Sequence, residues 1–214
     1  AEQTKQQLPT CLRWVMMSGD WIPLSLPTRL RAVAANPELR VISMGGATEA
    51  AIWSNIFEIE KRPESSSCAP PGWSSIPYGQ PLRNQTMYIL DEDSMEHCEE
   101  DVTGMIYIGG IGVALGYFND PVRTARQFIT HPRTGERLFR TGDLGRLRPS
   151  GLIEIQGRED SQVKLNGFRV ELGEIEAVLL DVTEVTAAVC AVVDNRLIGY
   201  VCVEDDTNAP DIEK

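Results

Sequence analysis

An α/β fold is predicted for this chain, on three observations. Short apolar runs at Trp14–Met17 and Val41–Met44 flank a stretch of helical spacing at Pro27–Ala35, with Leu26, Leu30 and Val33 on one face. Between Ile76 and Gln156 the spacing turns to short strands punctuated by Gly, Pro and Asp. After Gly157 it changes again, to strand, amphipathic helix and hairpin. A strand, helix, strand order at the start predicts a parallel unit with its ligand beyond the strands' carboxyl ends.

The elements follow in order. Trp14–Met17 ends at Ser18-Gly19-Asp20, and Val41–Met44 ends at Gly45-Gly46. Residues 60–75, rich in Pro, Ser and charge, read as a surface loop without the Gly-Lys-Ser/Thr of a phosphate cradle. Strands are expected at Thr86–Leu90, Met105–Ile108, Leu138–Arg140 and Leu152–Ile155, forming a small antiparallel or barrel-like unit over about 76–156. Asp120 as N-cap and Pro121 at the first turn open a helix expected to reach about Ile129. Further on come a strand at Gln162–Leu165, a helix at Glu171–Leu180, and a hairpin of Thr186–Val193 with Leu197–Val203. The reading is therefore a core over 1–158, the first part of a small mobile lobe over 159–205, and a linker over 206–214. No internal repeat is visible.

Composition narrows the function. Twenty Lys and Arg against 31 Asp and Glu give a net charge of −11, which argues against nucleic-acid binding, since phosphate contacts need clustered cations. The two histidines, His97 and His131, are far apart in sequence, so a histidine-built metal site is not expected. Five cysteines, an odd number without a CxxC pair, read as reduced cytosolic thiols, with Cys190 and Cys202 as core residues. No signal-like segment or run of about 20 apolar residues is present, so a soluble, cytoplasmic protein off the membrane is expected.

Four motifs stand in a fixed order: GGATEA at Gly45–Ala50, TGMIYIGGIGVALGYFNDP from Thr103, LFRTGDLGRL from Leu138, and GLIEIQGREDSQVKLNGFRVELGEIE from Gly151. Together they resemble the adenylate-forming superfamily, specifically the adenylation domains of nonribosomal peptide synthetases, over about residues 10–205. That resemblance implies the C-terminal part of a large α/β core followed by a small hinged α+β lobe. It implies ATP and Mg²⁺ as cofactors and aminoacyl-AMP as product. The amino acid would then be loaded onto phosphopantetheine of a carrier domain. Neighbouring synthetase domains, an embedded methyltransferase after residue 214 and an MbtH-like protein are further partners that it suggests. The family's substrate-ammonium Asp belongs upstream of Ala1 and its catalytic Lys downstream of Lys214, so no catalytic residue is expected within this stretch, which alone should be inactive.

Roles carry over residue by residue. Gly45, Gly46, Ala47 and Thr48 match the nucleotide signature, with Gly45 where the family usually places an aromatic and Ala47 where it has Pro. Thr48 suits a phosphate oxygen, and Glu49 is a hard oxygen ligand suited to Mg²⁺. Asp143 suits the ribose diol. Ile155 and Arg158 complete the nucleotide set, Arg158 having a structural ion pair as its plain alternative. Asp160 matches the hinge, and Lys164 and Gly167 match the lobe strand, where Lys164 equally suits a solvated position. Gly109, Gly110, Gly112 and Gly116 read as residues that shape the backbone. The substrate pocket maps to Met16, Ser18, Met44, Ile52 and Trp53, a small apolar set with one hydroxyl and an indole wall. It resembles that of cysteine-activating domains in thiazoline-forming siderophore synthetases. Core filling is the alternative for Met16, Met44 and Ile52. At the level of the whole chain the alternatives are an acyl-CoA or aryl-CoA ligase and a non-catalytic adenylation-like scaffold.

Overall fold

Strand β1 (Trp14–Met17) feeds helix α1 (Leu26–Ala32), which returns the chain to strand β2 (Arg40–Gly45), and β1 and β2 pair in parallel with Met16 opposite Ile42. The computed structural model describes residues 7–61, 72–73, 75–159, 162–165, 168–193 and 196–203, without the side chains of Lys164 and Arg169. Helix α1 ends three residues before the expected Ala35. Its exit is captured by the segment before β1, with Ala34 bridging Leu8 in parallel and the Ala35 N–H donating to the Leu8 carbonyl at 3.3 Å.

Two short strands extend this sheet beyond what periodicity indicated. Strand β3 (Asn55–Ile59) runs antiparallel to β2, and β4 (Gln80–Pro81) pairs with β3, giving the order β1-β2-β3-β4. One face buries Val41 and Ile59 with Ile22, Leu39, Trp73 and Ile76, while Val15 and Met17 of β1 pack on from the edge. The chain divides into two compact units at Glu159/Asp160.

The rest of the first unit is a five-stranded antiparallel sheet. It comprises β5 (Gln85–Leu90), β6 (Thr103–Gly110), β7 (Phe128–Thr130), β8 (Arg137–Leu147) and β9 (Ile153–Arg158), ordered β5-β6-β8-β7 with β9 also on β8. Strands β6 and β8 are longer than their apolar runs because Thr103, Gly104 and Gly109 of β6 still pair with Arg146, Gly145 and Leu138 of β8. Both faces of β6 are covered: Ile106 and Ile108 join Met87, Ile89 and Ile153, while Met105 and Tyr107 join Leu90 and Leu138. Two-sided burial explains why this strand is continuously apolar instead of alternating.

Helix α2 (Pro121–Gln127) starts as its cap residues dictate, with the Arg123 N–H donating to the Asp120 carboxylate at 2.9 Å. It stops two residues short of the expected Ile129. Phe128 instead enters β7, pairs with Phe139 and packs ring on ring at 5.2 Å between centroids. Charge is buried as well: Glu154 is 2% exposed, and its carboxylate accepts from Arg146 at 2.8 Å.

In the second unit β10 (Gln162–Leu165) pairs with β11 (Phe168–Glu171), a strand the sequence reading did not assign. Helix α3 (Leu172–Leu180) therefore begins one residue late, Glu171 being held in the ladder opposite Gln162, whose side chain donates to its carboxylate. Strands β12 (Val185–Val193) and β13 (Arg196–Val203) form the expected hairpin. Cys190 is buried and its N–H donates to Glu176 at 2.8 Å, but Cys202, expected in the core, is exposed because β13 alternates and presents it outward. Among the described residues no helix is long and apolar enough to cross a membrane.

Phe139 is 1% exposed and Phe118 is 93% exposed. Phe139→Ala should therefore cost about 3–5 kcal/mol in urea unfolding, whereas Phe118→Ala should stay within about 0.5 kcal/mol of the parent.

Candidate nucleotide and substrate site

The turn after β2 positions most of the expected nucleotide residues. Gly45 and Asn55 face one another across the β2–β3 pair, and the ten residues from Gly45 to Ser54 close as an arch, the Ser54 N–H donating to the Gly45 carbonyl at 2.7 Å. Within it Thr48–Ala50 make one 3₁₀ turn, and the Ala50 and Ile52 N–H groups both donate to the Ala47 carbonyl at 2.9 Å. Gly46 adopts φ +147°, and a Cβ there would lie 2.6 Å from the Ile52 carbonyl oxygen and 2.7 Å from the Ser54 nitrogen. No other residue fits without moving the arch. Ala51 and Ile52 also take positive φ, 59° and 71°, and for a β-branched residue such as Ile52 that is a strained conformation held by its surroundings.

Glu49 is buried in this arch at 7% exposure, and Thr48 beside it is exposed. The Tyr117 hydroxyl donates to Glu49 Oε1 at 2.6 Å, and the Ala114 N–H donates to the Glu49 carbonyl at 2.8 Å. Tyr117 is itself fixed. Its ring meets Phe128 edge-on at 5.4 Å, its N–H donates to Thr124 Oγ1 at 2.9 Å, and the Arg123 guanidinium lies 4.6 Å from its ring centre. The role of Tyr117 was not drawn from the sequence, although it ends the Gly-rich motif. A tyrosine that closes such a loop and an acid 68 residues away carry no shared local pattern.

Asp143 lies on β8 opposite Arg158 on β9. The Arg158 guanidinium donates to Asp143 Oδ1 at 2.6 Å, and both side chains are largely buried. The sequence left Arg158 as either a nucleotide contact or an ion-pair partner. In this arrangement it holds the Asp143 carboxylate. The Asp143 N–H donates to Thr141 Oγ1 at 3.0 Å, and that hydroxyl donates to the Ile106 carbonyl at 2.8 Å, so the Thr-Gly-Asp segment is anchored to the sheet core. Ile155 on β9 is half-buried against the cluster that contains Ala50 and Ile153.

Tyr78 joins the two regions and was also missed, its only sequence sign being an aromatic between Pro77 and Gly79. Its ring occupies the place of a Gly45 side chain, and it packs against the Ala50 cluster. Burial pushes its phenol pKa up, and the nearby Asp143 carboxylate adds to the rise. The Asn55 amide and Gly46 N–H oppose it. Asn55 itself is fully buried, and its side-chain N and O make no hydrogen bond of good geometry among the described residues.

The expected pocket residues are spread at the carboxyl ends of the parallel strands. Met16 and Met44 share one sheet face by register, but Met16 is exposed because β1 is an edge strand, while Met44 is buried. Ser18, Ile52 and Trp53 are exposed, so the described residues supply walls of a pocket and not an enclosure. The glycines of the second motif act through backbone shape: Gly109 leaves room for Glu136 and Thr86, and Gly116 for Thr124. Asp160 and Gly167 lie outside the described residues, as do the linker residues 206–214. Lys164 lies on β10.

These residues fit a nucleotide better than a resident metal. One buried carboxylate is held by a cation and another, in the glycine arch, by a hydroxyl. Among the described residues no group of three His, Cys, Asp or Glu could hold a metal alone. Mg²⁺ often reaches a site with phosphate oxygens and water completing its shell, so one carboxylate such as Glu49 is enough to receive it.

The family model described as AMP-binding enzyme matches residues 1–118. Pyochelin synthetase PchF of Pseudomonas aeruginosa is 49% identical over 184 residues, 86% of this chain and 9% of that protein. The crystal structure of the nonribosomal peptide synthetase FmoA3 in its AMPPNP-bound form aligns with a TM-score of 0.62 and 48% identity, over 70% of this chain and 15% of that one. PA1221, a synthetase protein containing adenylation and PCP domains, aligns with a TM-score of 0.75 at 27% identity, over 91% of this chain and 39% of that one. The chain spans 4% and 18% of the length of two other curated relatives. The fold is that of the C-terminal part of the adenylate-forming core with the beginning of its small lobe. The chain belongs to the AMP-binding enzyme family of nonribosomal peptide synthetases.

Proposed function

We propose that the chain is part of an amino-acid-activating adenylation domain, with cysteine as its amino acid. In the whole protein the amino-acid carboxylate attacks the α-phosphorus of ATP. The bond to the bridging oxygen breaks, and pyrophosphate leaves. The phosphopantetheine thiol of a carrier domain then attacks the acyl carbon and displaces AMP. Here Asp143 receives the ribose hydroxyls while Arg158 fixes its orientation. Thr48 and the glycine arch receive phosphate, and Glu49 would hold a Mg²⁺, whose charge would offset that of the phosphate. The observation that carries this reading is the pair of buried, individually held carboxylates, Glu49 by Tyr117 and Asp143 by Arg158. Burying two acids costs stability, and a ligand that uses both accounts for it.

In the full-length synthetase, Asp143→Ala and Glu49→Ala should each lower ATP–pyrophosphate exchange by at least about a hundredfold. Tyr117→Phe should lower it roughly tenfold and raise the Mg²⁺ concentration needed for half-maximal rate, because Glu49 loses its hydroxyl donor without losing its charge. Unchanged exchange in the two alanine variants would remove the site assignment.

The case for cysteine rests on the short, apolar set Met16, Met44, Ile52 and Trp53 with the Ser18 hydroxyl at the strand ends. One methylene or heteroatom in such a pocket discriminates by about 1–3 kcal/mol, so serine and alanine should support exchange some 10- to 200-fold less well than cysteine. A panel of amino acids on the intact protein measures this. An aromatic or charged amino acid as the best substrate excludes the pocket reading.

We also infer that the small lobe pivots at Asp160, which is supported by the division of the chain into compact units at that point. Asp160→Pro fixes φ and removes a donor. It should depress adenylation and thioester formation by unequal factors, and equal factors in the two half-reactions exclude the pivot.

A further inference from the structure

We propose that Tyr78 supplies the aromatic face on which the nucleotide base stacks, and that Gly45 is glycine to make room for it. The inference rests on the nucleotide reading above and names one residue of that site. Its first support is steric. A Cβ built on Gly45 would overlap the Tyr78 ring carbons, so the ring lies directly on the Gly45 backbone, and any side chain at position 45 would displace it. The two positions specify each other.

The second support is how firmly the ring is held. The Tyr78 N–H donates to the Ile153 carbonyl at 3.0 Å, and the preceding Pro77 carbonyl accepts from the Ser43 hydroxyl at 3.2 Å. Gly79 bridges to Ile153 on the other side. The backbone that carries the ring is thus tied to β9 at Tyr78 and Gly79 and to β2 at Pro77. At its hydroxyl end the ring reaches the Gly46 N–H and the Asn55 amide, and the Asp143 charge lies near enough to be felt. The phenol therefore stays neutral at physiological pH and presents no anion to a triphosphate.

The third support is position among the aromatics. Tyr117 holds Glu49, Tyr88 donates to Glu136, and Phe128 and Phe139 fill the sheet core. Tyr78 both touches the glycine arch and lies near enough to Asp143 to feel its charge. The residue as a whole is only partly buried. If Asp143 takes the ribose, the base one glycosidic bond away falls within reach of that ring. Stacking of a base on an aromatic side chain is sequence-tolerant and strong enough to alter affinity roughly ten- to hundredfold.

The test is steady-state ATP–pyrophosphate exchange by the full-length synthetase, with ATP and the amino acid varied separately. Tyr78→Phe should leave the KM for ATP within twofold, and Tyr78→Leu should raise it ten- to hundredfold with the amino-acid KM unchanged. The double variant Gly45→Tyr, Tyr78→Ile returns a ring from the other side of the same space and should recover the ATP KM to within fivefold. That variant carries the test if Tyr78→Leu does not fold. The proposal is overturned if Tyr78→Leu keeps the parent KM for ATP, if both KM values rise together, if Tyr78→Phe loses as much as Tyr78→Leu, or if the double variant does not recover. Asp143→Ala is run alongside. Loss of exchange there with an unaffected Tyr78→Leu removes only the Tyr78 assignment, whereas no effect in either removes the nucleotide reading itself.

Discussion

The closure of the arch between Gly45 and Ser54 is the constraint on which the rest of the site depends. A single backbone bond, from the Ser54 N–H to the Gly45 carbonyl, brings the end of β2 back to the start of β3. Inside it the chain makes a tight 3₁₀ turn and two left-handed residues in succession. The geometry is costly for Ala51 and Ile52, and it persists because Gly46 admits the close approach of Ile52 and Ser54. The arch then does three things at once. It turns Glu49 inward to Tyr117, places Ala50 in the core between the sheets, and leaves Ile52 and Trp53 outside beside the strand ends.

A second theme is how an acidic chain buries acids. Glu154, Asp143 and Glu49 are all under a tenth exposed, and each has its own donor: Arg146, Arg158 and Tyr117. Glu136 accepts from both Thr86 and Tyr88. Partners of this kind offset desolvation without adding much net stability. For Glu154, inside the sheet, the arrangement reads as structural. For Glu49 and Asp143 the same physics would keep a charge ready for the proposed ligand.

The exposed apolar residues follow a similar division. Trp14 and Met16 lie on the edge strand, and Ile111, Leu115 and Phe118 lie in the turn after β6. None of them enters the three clusters of buried side chains. Their exposure leaves the core intact, which is why the sheets can be read as self-sufficient packing units despite so much apolar surface.

The sequence by itself determined the architecture and the residue types of the chemistry. Parallel β1 and β2, the antiparallel sheet and the final hairpin followed from spacing, since burial imposes a period of two or of 3.6 on the chain. Gly45–Glu49 and Thr141–Asp143 were legible because a turn and its ligand residue are neighbours in sequence. Only the tertiary structure decided where elements end, as Phe128 leaving its helix for β7 and Glu171 joining β11 show. A ladder partner outcompetes helical propensity, and that partner is far away in sequence. The same reason hid Tyr78 over Gly45, Tyr117 on Glu49 and Arg158 on Asp143. Each is a contact between residues 15 to 68 positions apart, and contacts at such separations are fixed by sheet register and packing, which a single sequence does not encode in any local pattern.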